Sequence, residues 1–225
     1  MAAHAPKPRR TGKAPSPKPR QTQEQRRRNT KERVLNATVD ILAEEGYARL
    51  TTTAVATRAG VSRGAQENYF RTKTDLIAAA TAHAMNAATR QAEKSAAQAR
   101  ASRDPLEAFL ADGRAFFLSR TYRAMVELAL AGRGDRALSR IHRDAFVKFR
   151  KDLDKVWVGT LVDAGFPRAL VEEFVELTVY LLRGMALTEI ILPQRLAPNP
   201  LMRKWHGLAA LMLAPSRSRR SKSIK

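Results

Sequence analysis

The chain has 225 residues, of which 44% are hydrophobic, and a formal net charge of +20 at pH 7. This length allows one or two domains with a real hydrophobic core, and the lack of an apolar run of about 18 residues excludes a membrane-spanning helix. The sequence contains no cysteine, which excludes disulfides, thiolate nucleophiles and cysteine-ligated zinc. We also expect neither a secretory signal nor a cofactor.

Positive charge is concentrated at the two ends of the chain. Residues 1–33 contain 11 basic and 2 acidic side chains, and residues 216–225 contain 5 basic and no acidic ones. We expect residues 1–25, which include five prolines, and residues 214–225 to be disordered basic segments. Such segments on a mildly basic globule suggest a polyanionic partner, usually DNA or RNA, whereas simple solubility tails are the alternative.

The first predicted helix begins at Arg26 and ends at Gly46, because its apolar residues recur at helical spacing before a glycine stop. Thr51 is placed to cap a second helix that stops at Gly60. Ser62 is placed to cap a third, short helix that runs to about residue 70. Two short helices joined by a tight turn with glycine are the sequence form of a helix-turn-helix, whose second helix lies in the DNA major groove.

The rest of the chain also reads as helices. Thr72 to Asp75 has the form of a capping box that opens a long helix to about residue 101. Asp104 and Pro105 open the next helix, which breaks near Ser119, and a further long helix ends at Gly165. Two last helices are predicted over 169–192 and 200–213, and the whole chain is therefore expected to be all-α.

The segment GYARLTTTAVATRAGVSRGAQENYFRTKTDL resembles the DNA-binding signature of the tetracycline-repressor (TetR) family of bacterial transcriptional regulators. The similarity covers about residues 28–80 and is strongest at the glycine, serine, aromatic and lysine positions of the turn and caps. The resemblance implies a homodimer with an N-terminal helix-turn-helix domain, residues 26–80, and a C-terminal helical ligand-binding and dimerisation domain, residues 81–213.

Contacts with the DNA backbone are expected from hydroxyls and a cation near helix N-termini. There, backbone N–H groups and the helix dipole also favour a phosphate. The candidates are Thr51, Thr52, Thr53 and Lys73, together with Tyr69, which can meet either a phosphate or a thymine methyl group.

Contacts with bases are expected from the third helix. Ser62, Arg63 and Gly64 lie at the end that enters the groove, and Gln66 and Asn68 can read base edges. The family commonly carries Leu then Tyr where this chain has Gln66 and Glu67. Glu67 can accept from cytosine N4, but we expect it to point to solvent or to pair with a nearby arginine.

Residues 60–64 also spell G-x-S-x-G, the nucleophile elbow of α/β-hydrolases. That elbow requires a strand before the serine and a later acid and histidine, whereas a helix is predicted before Ser62. We therefore expect Ser62 to be a helix cap and the protein not to be an enzyme. Metal-ligand spacing does not occur in the sequence.

The last two helices are apolar on more than one face, which predicts a four-helix dimer interface formed by 169–192 and 200–213. A monomeric core is the alternative. Aromatic and methionine side chains of the second domain can line a pocket for an unidentified small-molecule inducer, although such residues are more often core. The pocket candidates are Phe116, Phe117, Tyr122, Met125, Phe146, Phe149, Trp157 and Met185.

Together these features predict a sequence-specific regulator of transcription, located in the bacterial cytoplasm on the nucleoid. We expect a repressor that binds a palindromic double-stranded DNA operator and is released by an inducer. An architectural protein that binds nucleic acid without sequence preference is the alternative from a different class.

Overall fold

The structure is a computed structural model that describes residues 22–192 and 200–214. Within these ranges it contains nine α-helices and one short 3₁₀ turn, Tyr47–Arg49, so the expected all-α fold is confirmed. Of the basic segments predicted at 1–25 and 214–225, residues 1–21 and 215–225 lie outside the described residues. The helices are α1 Gln23–Glu45, α2 Thr52–Ala59, α3 Arg63–Glu67, α4 Lys73–Ala99, α5 Pro105–Phe117, α6 Arg120–Ala131, α7 Arg136–Asp163, α8 Arg168–Ile191 and α9 Pro200–Met212.

The first helix starts three residues earlier than predicted, at Gln23 instead of Arg26. The Thr22 hydroxyl accepts a hydrogen bond from the backbone N–H of Gln25, and the Gln25 side chain accepts one from the N–H of Thr22. This reciprocal capping box satisfies two backbone donors that a helix start otherwise leaves unpaired. Residues 23–25 therefore belong to α1, and Thr22 caps it, although all four were predicted to lie in the N-terminal segment.

Other helix boundaries follow the predicted capping residues. The side chains of Thr51, Ser62 and Thr72 each accept a hydrogen bond from a backbone N–H in the first turn of the helix that follows. Gly46 and Gly60 end α1 and α2 with φ of 81° and 60°, which glycine adopts at little cost. The third helix is shorter than predicted, since α3 ends at Glu67.

One hydrophobic core joins the helix-turn-helix to part of the second domain. Its buried residues come from α1, α2 and α4 and also from α6 and α7, including Met125, Leu128 and Leu138. Arg120 on α6 forms an ion pair with Asp40 on α1. The boundary predicted between residues 80 and 81 therefore falls inside the continuous helix α4 and does not separate two independent cores.

A second core lies between α5, α7 and α8. The rings of Phe109 and Phe174 pack edge to face at 5.6 Å, and Phe109 packs on Trp157 at 5.4 Å. Helix α9 joins this core, because Trp205 stacks on Phe174 and its indole N–H donates to the Thr178 hydroxyl at 2.9 Å. These contacts join α9 to α8 through the Trp205 side chain.

Candidate nucleic-acid interface

A single arginine of α1 holds the turn of the helix-turn-helix. The Arg33 guanidinium donates to the carbonyl oxygens of both Ala59 and Gly60, the latter at 2.8 Å, where the carbonyls at the end of α2 have no partner within the helix. Arg58 adds a second link, because it pairs with Glu44 at 2.8 Å and Glu45 at 2.6 Å near the end of α1. These bonds tie the end of α2 and the turn that leads to α3 to helix α1.

The start of α2 presents hydroxyls and backbone donors to solvent. The Thr51 hydroxyl accepts from the N–H of Ala54 at 3.0 Å, Thr51 and Thr53 are exposed, and Thr52 is partly buried. The first N–H groups of a helix have no intrahelical acceptor, and the helix dipole adds positive potential there. This end of α2 is therefore suited to a phosphate of the DNA backbone.

The start of α4 carries a positioned cation. The Lys73 ammonium lies 4.0 Å from the centroid of the Tyr47 ring, which is within cation–π distance, and partial burial lowers the pKa of Lys73. Tyr47 belongs to the turn that precedes Thr51, so the ring links the N-terminus of α4 to that of α2. Tyr69, the other predicted backbone contact, is partly buried beside Phe70.

The surface of α3 is formed by few polar side chains. Ser62 caps the helix by accepting from the N–H of Ala65 at 3.2 Å. Arg63, Gly64 and Asn68 are exposed, as the sequence interpretation requires. Glu67 is exposed as well, and its carboxylate accepts a hydrogen bond from Arg63 Nε at 2.7 Å, so the expected pairing with a nearby arginine is confirmed.

Gln66, which was expected from the sequence to read base edges, does not reach the surface of α3. Gln66 is 0% exposed, and neither atom of its side-chain amide has a hydrogen-bond partner among the described residues. The Gln66 side chain faces the core. The backbone carbonyl of Gln66 accepts a hydrogen bond from the backbone N–H of Phe70, another buried residue. A signal for burial was present in the sequence, because the TetR family commonly has leucine at this position.

The structure also decides the role of Ser62. The residues before it form helix α2 and its left-handed glycine cap, not the strand that a nucleophile elbow needs.

Within residues 22–192 and 200–214, no group of three or more His, Asp or Glu side chains is arranged to hold a metal ion. In the same ranges no helix is both long and apolar enough to span a membrane.

A cavity of about 230 Å³ lies beside the helix-turn-helix, between α1, α4, α5, α6 and α7. Its wall is mainly apolar and includes Val39 of α1 and Ala88 of α4. His83 and Asp112 are among its polar lining groups. Burial raises the pKa of Asp112, whose carboxylate accepts a hydrogen bond from the Trp157 indole at 3.0 Å.

Only two of the eight predicted pocket residues, Phe116 and Phe149, line this cavity. Five others are buried side chains of the two cores, because aromatic and methionine residues at helical spacing mostly serve packing. These five are Phe117, Tyr122, Met125, Trp157 and Met185. Phe146 is partly buried between His142, on which it stacks, and the Arg183 guanidinium, 5.0 Å from its ring centroid.

Comparison with known proteins shows similarity to bacterial transcriptional regulators. Residues 34–80 match the family described as bacterial regulatory proteins, tetR family. The chain is 30% identical over 168 residues to the HTH-type transcriptional regulator CymR of Pseudomonas putida, covering 75% of this chain and 83% of that protein. It is 29% identical over 172 residues to an HTH-type transcriptional regulator of Mycobacterium bovis, covering 76% of this chain and 88% of the relative.

Solved structures share the fold. A TetR-family transcriptional regulator from Mesorhizobium loti superposes with a TM-score of 0.66 at 12% identity, covering 84% of this chain and 97% of that one. A transcriptional regulator from Rhodococcus sp. Rha1 superposes with a TM-score of 0.60 at 24% identity, covering 81% and 95%. At these identities the comparison establishes the architecture and not the ligand.

Gly64 offers a test of close approach between α3 and DNA. A Cβ built on Gly64 has no neighbour within 4 Å, so the protein itself does not require glycine there. Gly64→Ala should therefore keep or slightly raise the thermal unfolding temperature, since alanine favours a helix by up to about 1 kcal/mol. The same change should weaken binding to the preferred duplex by about tenfold or more if the backbone approaches the bases.

Gly159→Ala is the matched control, because Gly159 lies on α7 and its added Cβ also meets open space. It should leave DNA affinity unchanged in a fluorescence-anisotropy titration. Unaltered affinity of Gly64→Ala would show that DNA does not approach this part of α3 closely.

Proposed function

This chain belongs to the TetR family of bacterial regulatory proteins, and on that premise we propose that it is a homodimeric repressor released from its operator by a small molecule. It is a DNA-binding transcriptional regulator and not an enzyme. The proposal concerns the finer points: a palindromic operator, a dimer, an inducer, and action in the bacterial cytoplasm on the nucleoid.

The observation that carries the DNA-binding proposal is that three groups suited to DNA lie on one unit, in which Thr51, Thr53 and the outer face of α3 are exposed and Lys73 is partly buried. The hydroxyls and backbone donors at Thr51–Thr53 and the ammonium of Lys73 are suited to phosphates, and the exposed face of α3 lies in the same unit. Arg33 holds the turn between α2 and α3 to α1. In this arrangement α2 and Lys73 would bind the DNA backbone, whereas α3 would contact the bases. Sequence-specific DNA binding uses both kinds of contact.

The dimer proposal is supported by an apolar surface on the last two helices. Leu177, Tyr180 and Ile191 of α8 are 49%, 60% and 72% exposed, although the opposite side of α8 is buried in the core. Leu208 and Leu211 of α9 are 56% and 77% exposed. A helix that is apolar on both sides needs cover on both sides, and pairing with a symmetry mate provides it without a second partner.

The inducer proposal is supported by the position of the cavity. Its wall includes Asn36 and Val39 of α1 together with residues of α4, α5, α6 and α7. A ligand that occupies this space contacts both the helix that braces the turn and the helices of the second domain. A small movement of α1 and α4 would then change the separation of the two α3 helices in a dimer, which must match half-sites about 34–36 Å apart.

Selection of bound duplexes from a random DNA pool tests the operator proposal. We expect the full chain, and a version without residues 1–21, to recover the same palindromic motif at near-physiological salt. The motif is expected because two α3 helices related by a two-fold axis read two inverted half-sites.

Steep salt dependence without an enriched motif, and loss of binding when residues 1–21 are removed, would instead support the architectural alternative. That result would contradict the repressor proposal, since binding would then depend on counterion release by the basic segment alone.

The double variant Leu177→Glu with Tyr180→Glu tests the dimer. Four carboxylates would meet across a two-fold interface, so we expect a monomer by analytical ultracentrifugation with unchanged helical content. Loss of the dimer should lower operator affinity by more than about 100-fold, because each half-site is then bound separately. Leu130→Glu, at a residue of α6 that is 56% exposed, should remain dimeric.

The variant Ala88→Leu tests the cavity. The larger side chain reduces the space available to a ligand while remaining apolar, so operator affinity should be retained. A compound that releases the wild-type protein from its operator should have an effective concentration at least about tenfold higher for the variant. Ala82→Leu, at an exposed position of α4, should respond like the wild type.

A further inference from the structure

We infer that Arg63 reads a guanine in each operator half-site and that Glu67 is a positioning residue that aims the Arg63 guanidinium. The inference rests on the proposed function, because it names the base that α3 recognises in the operator. It follows from the pairing of these two side chains on α3.

The two side chains lie four residues apart and therefore on the same face of α3. Arg63 Nε donates to a Glu67 carboxylate oxygen at 2.7 Å, and the two side chains remain 68% and 49% exposed. The pair therefore projects from the surface of the helix that enters the major groove. It is accessible to a base edge.

The form of this bond determines what the arginine can still bind. Because Glu67 engages Nε, the two terminal nitrogens of the guanidinium are not used by this contact. Those nitrogens form a planar fork that matches the O6 and N7 acceptors of guanine, the commonest specific contact in the major groove. A carboxylate that orients Nε also reduces the side-chain entropy that is lost when the two terminal nitrogens of Arg63 bind guanine.

The other residues of α3 do not offer an equivalent group. Gly64 and Ala65 have no polar side chain, Gln66 is buried, and Glu67 can only accept hydrogen bonds when ionised. Within the helix Arg63–Glu67, Arg63 is therefore the residue whose side chain presents exposed donors. A base that offers two acceptors in the major groove is its matching partner.

The Arg63–Glu67 pair carries no net charge, so it is expected to affect which base is preferred more than the overall affinity for DNA. The Glu67 carboxylate offsets the positive charge of Arg63, so the pair adds little to the attraction between the protein and phosphates. Non-specific binding then depends on groups such as Lys73 and the backbone donors of α2, whereas the contact of Arg63 is favourable only where guanine is present.

The test repeats the selection from a random duplex pool with the full chain and with three variants: Arg63→Ala, Glu67→Gln and Gln66→Leu. We expect the wild-type palindrome to contain a fixed guanine in each half-site and Arg63→Ala to lose the preference at that position alone. Anisotropy titrations of the selected duplex against one with that guanine replaced should show discrimination falling by about tenfold or more in Arg63→Ala.

Glu67→Gln should separate positioning from affinity. We expect discrimination at the guanine to fall, because the amide oxygen accepts a weaker hydrogen bond from Arg63 Nε than the carboxylate does. Binding to a random duplex should become tighter and more salt-dependent, because the charge of Arg63 is no longer offset. A purely structural role of Glu67 would change both duplexes alike. Gln66→Leu is the control for altered packing of α3, and it should keep the motif because its amide is buried.

The outcomes are distinguishable. A wild-type palindrome whose guanine preference survives in Arg63→Ala would overturn the inference and leave the proposed function intact. Equal guanine discrimination in Glu67→Gln and the wild type would overturn the positioning role. If the wild-type chain selects no palindrome, the proposed function itself fails.

Discussion

The geometry of the DNA-binding unit depends on the bonds from Arg33 of α1 to the carbonyls of Ala59 and Gly60. Helices α2 and α3 have eight and five residues and are too short to be stable alone. Their orientation must therefore come from a longer helix, and α1 supplies it through this side chain and through the core below. The left-handed conformation of Gly60 brings both carbonyls within reach of one guanidinium.

The same helix connects DNA binding to the second domain. Helix α6 packs on α1, the Arg120–Asp40 ion pair bridges them, and α4 runs without interruption from the DNA-binding unit into the second domain. The cavity lies at this junction, with residues of α1 in its wall. The proposed inducer would therefore not need to act over a long distance, because the wall of the cavity and the arginine that holds the turn share helix α1.

The groups suited to phosphates and the groups suited to distinguishing bases lie on different parts of the surface. Cations and helix N-termini around α2 and the start of α4 are suited to phosphates, which are present in every sequence. The face of α3 carries an arginine whose charge is offset by Glu67. Because the candidate phosphate contacts and the candidate base contacts lie on different helices, a change in α3 is expected to alter the preferred base without removing the backbone contacts.

The sequence by itself determined the turn, the capping residues at Thr51, Ser62 and Thr72, and the helix starts that these residues set. These depend on local chemistry: Thr51, Ser62 and Thr72 cap helices because a hydroxyl three residues from a free N–H binds it in any fold. Tertiary structure alone decided that five of the predicted pocket residues pack in the cores and that α6 shares a core with α1. It also showed Gln66 to be buried, which the leucine common at this position in the family had indicated. Burial depends on which helix covers a given face, and helical periodicity does not specify the covering partner.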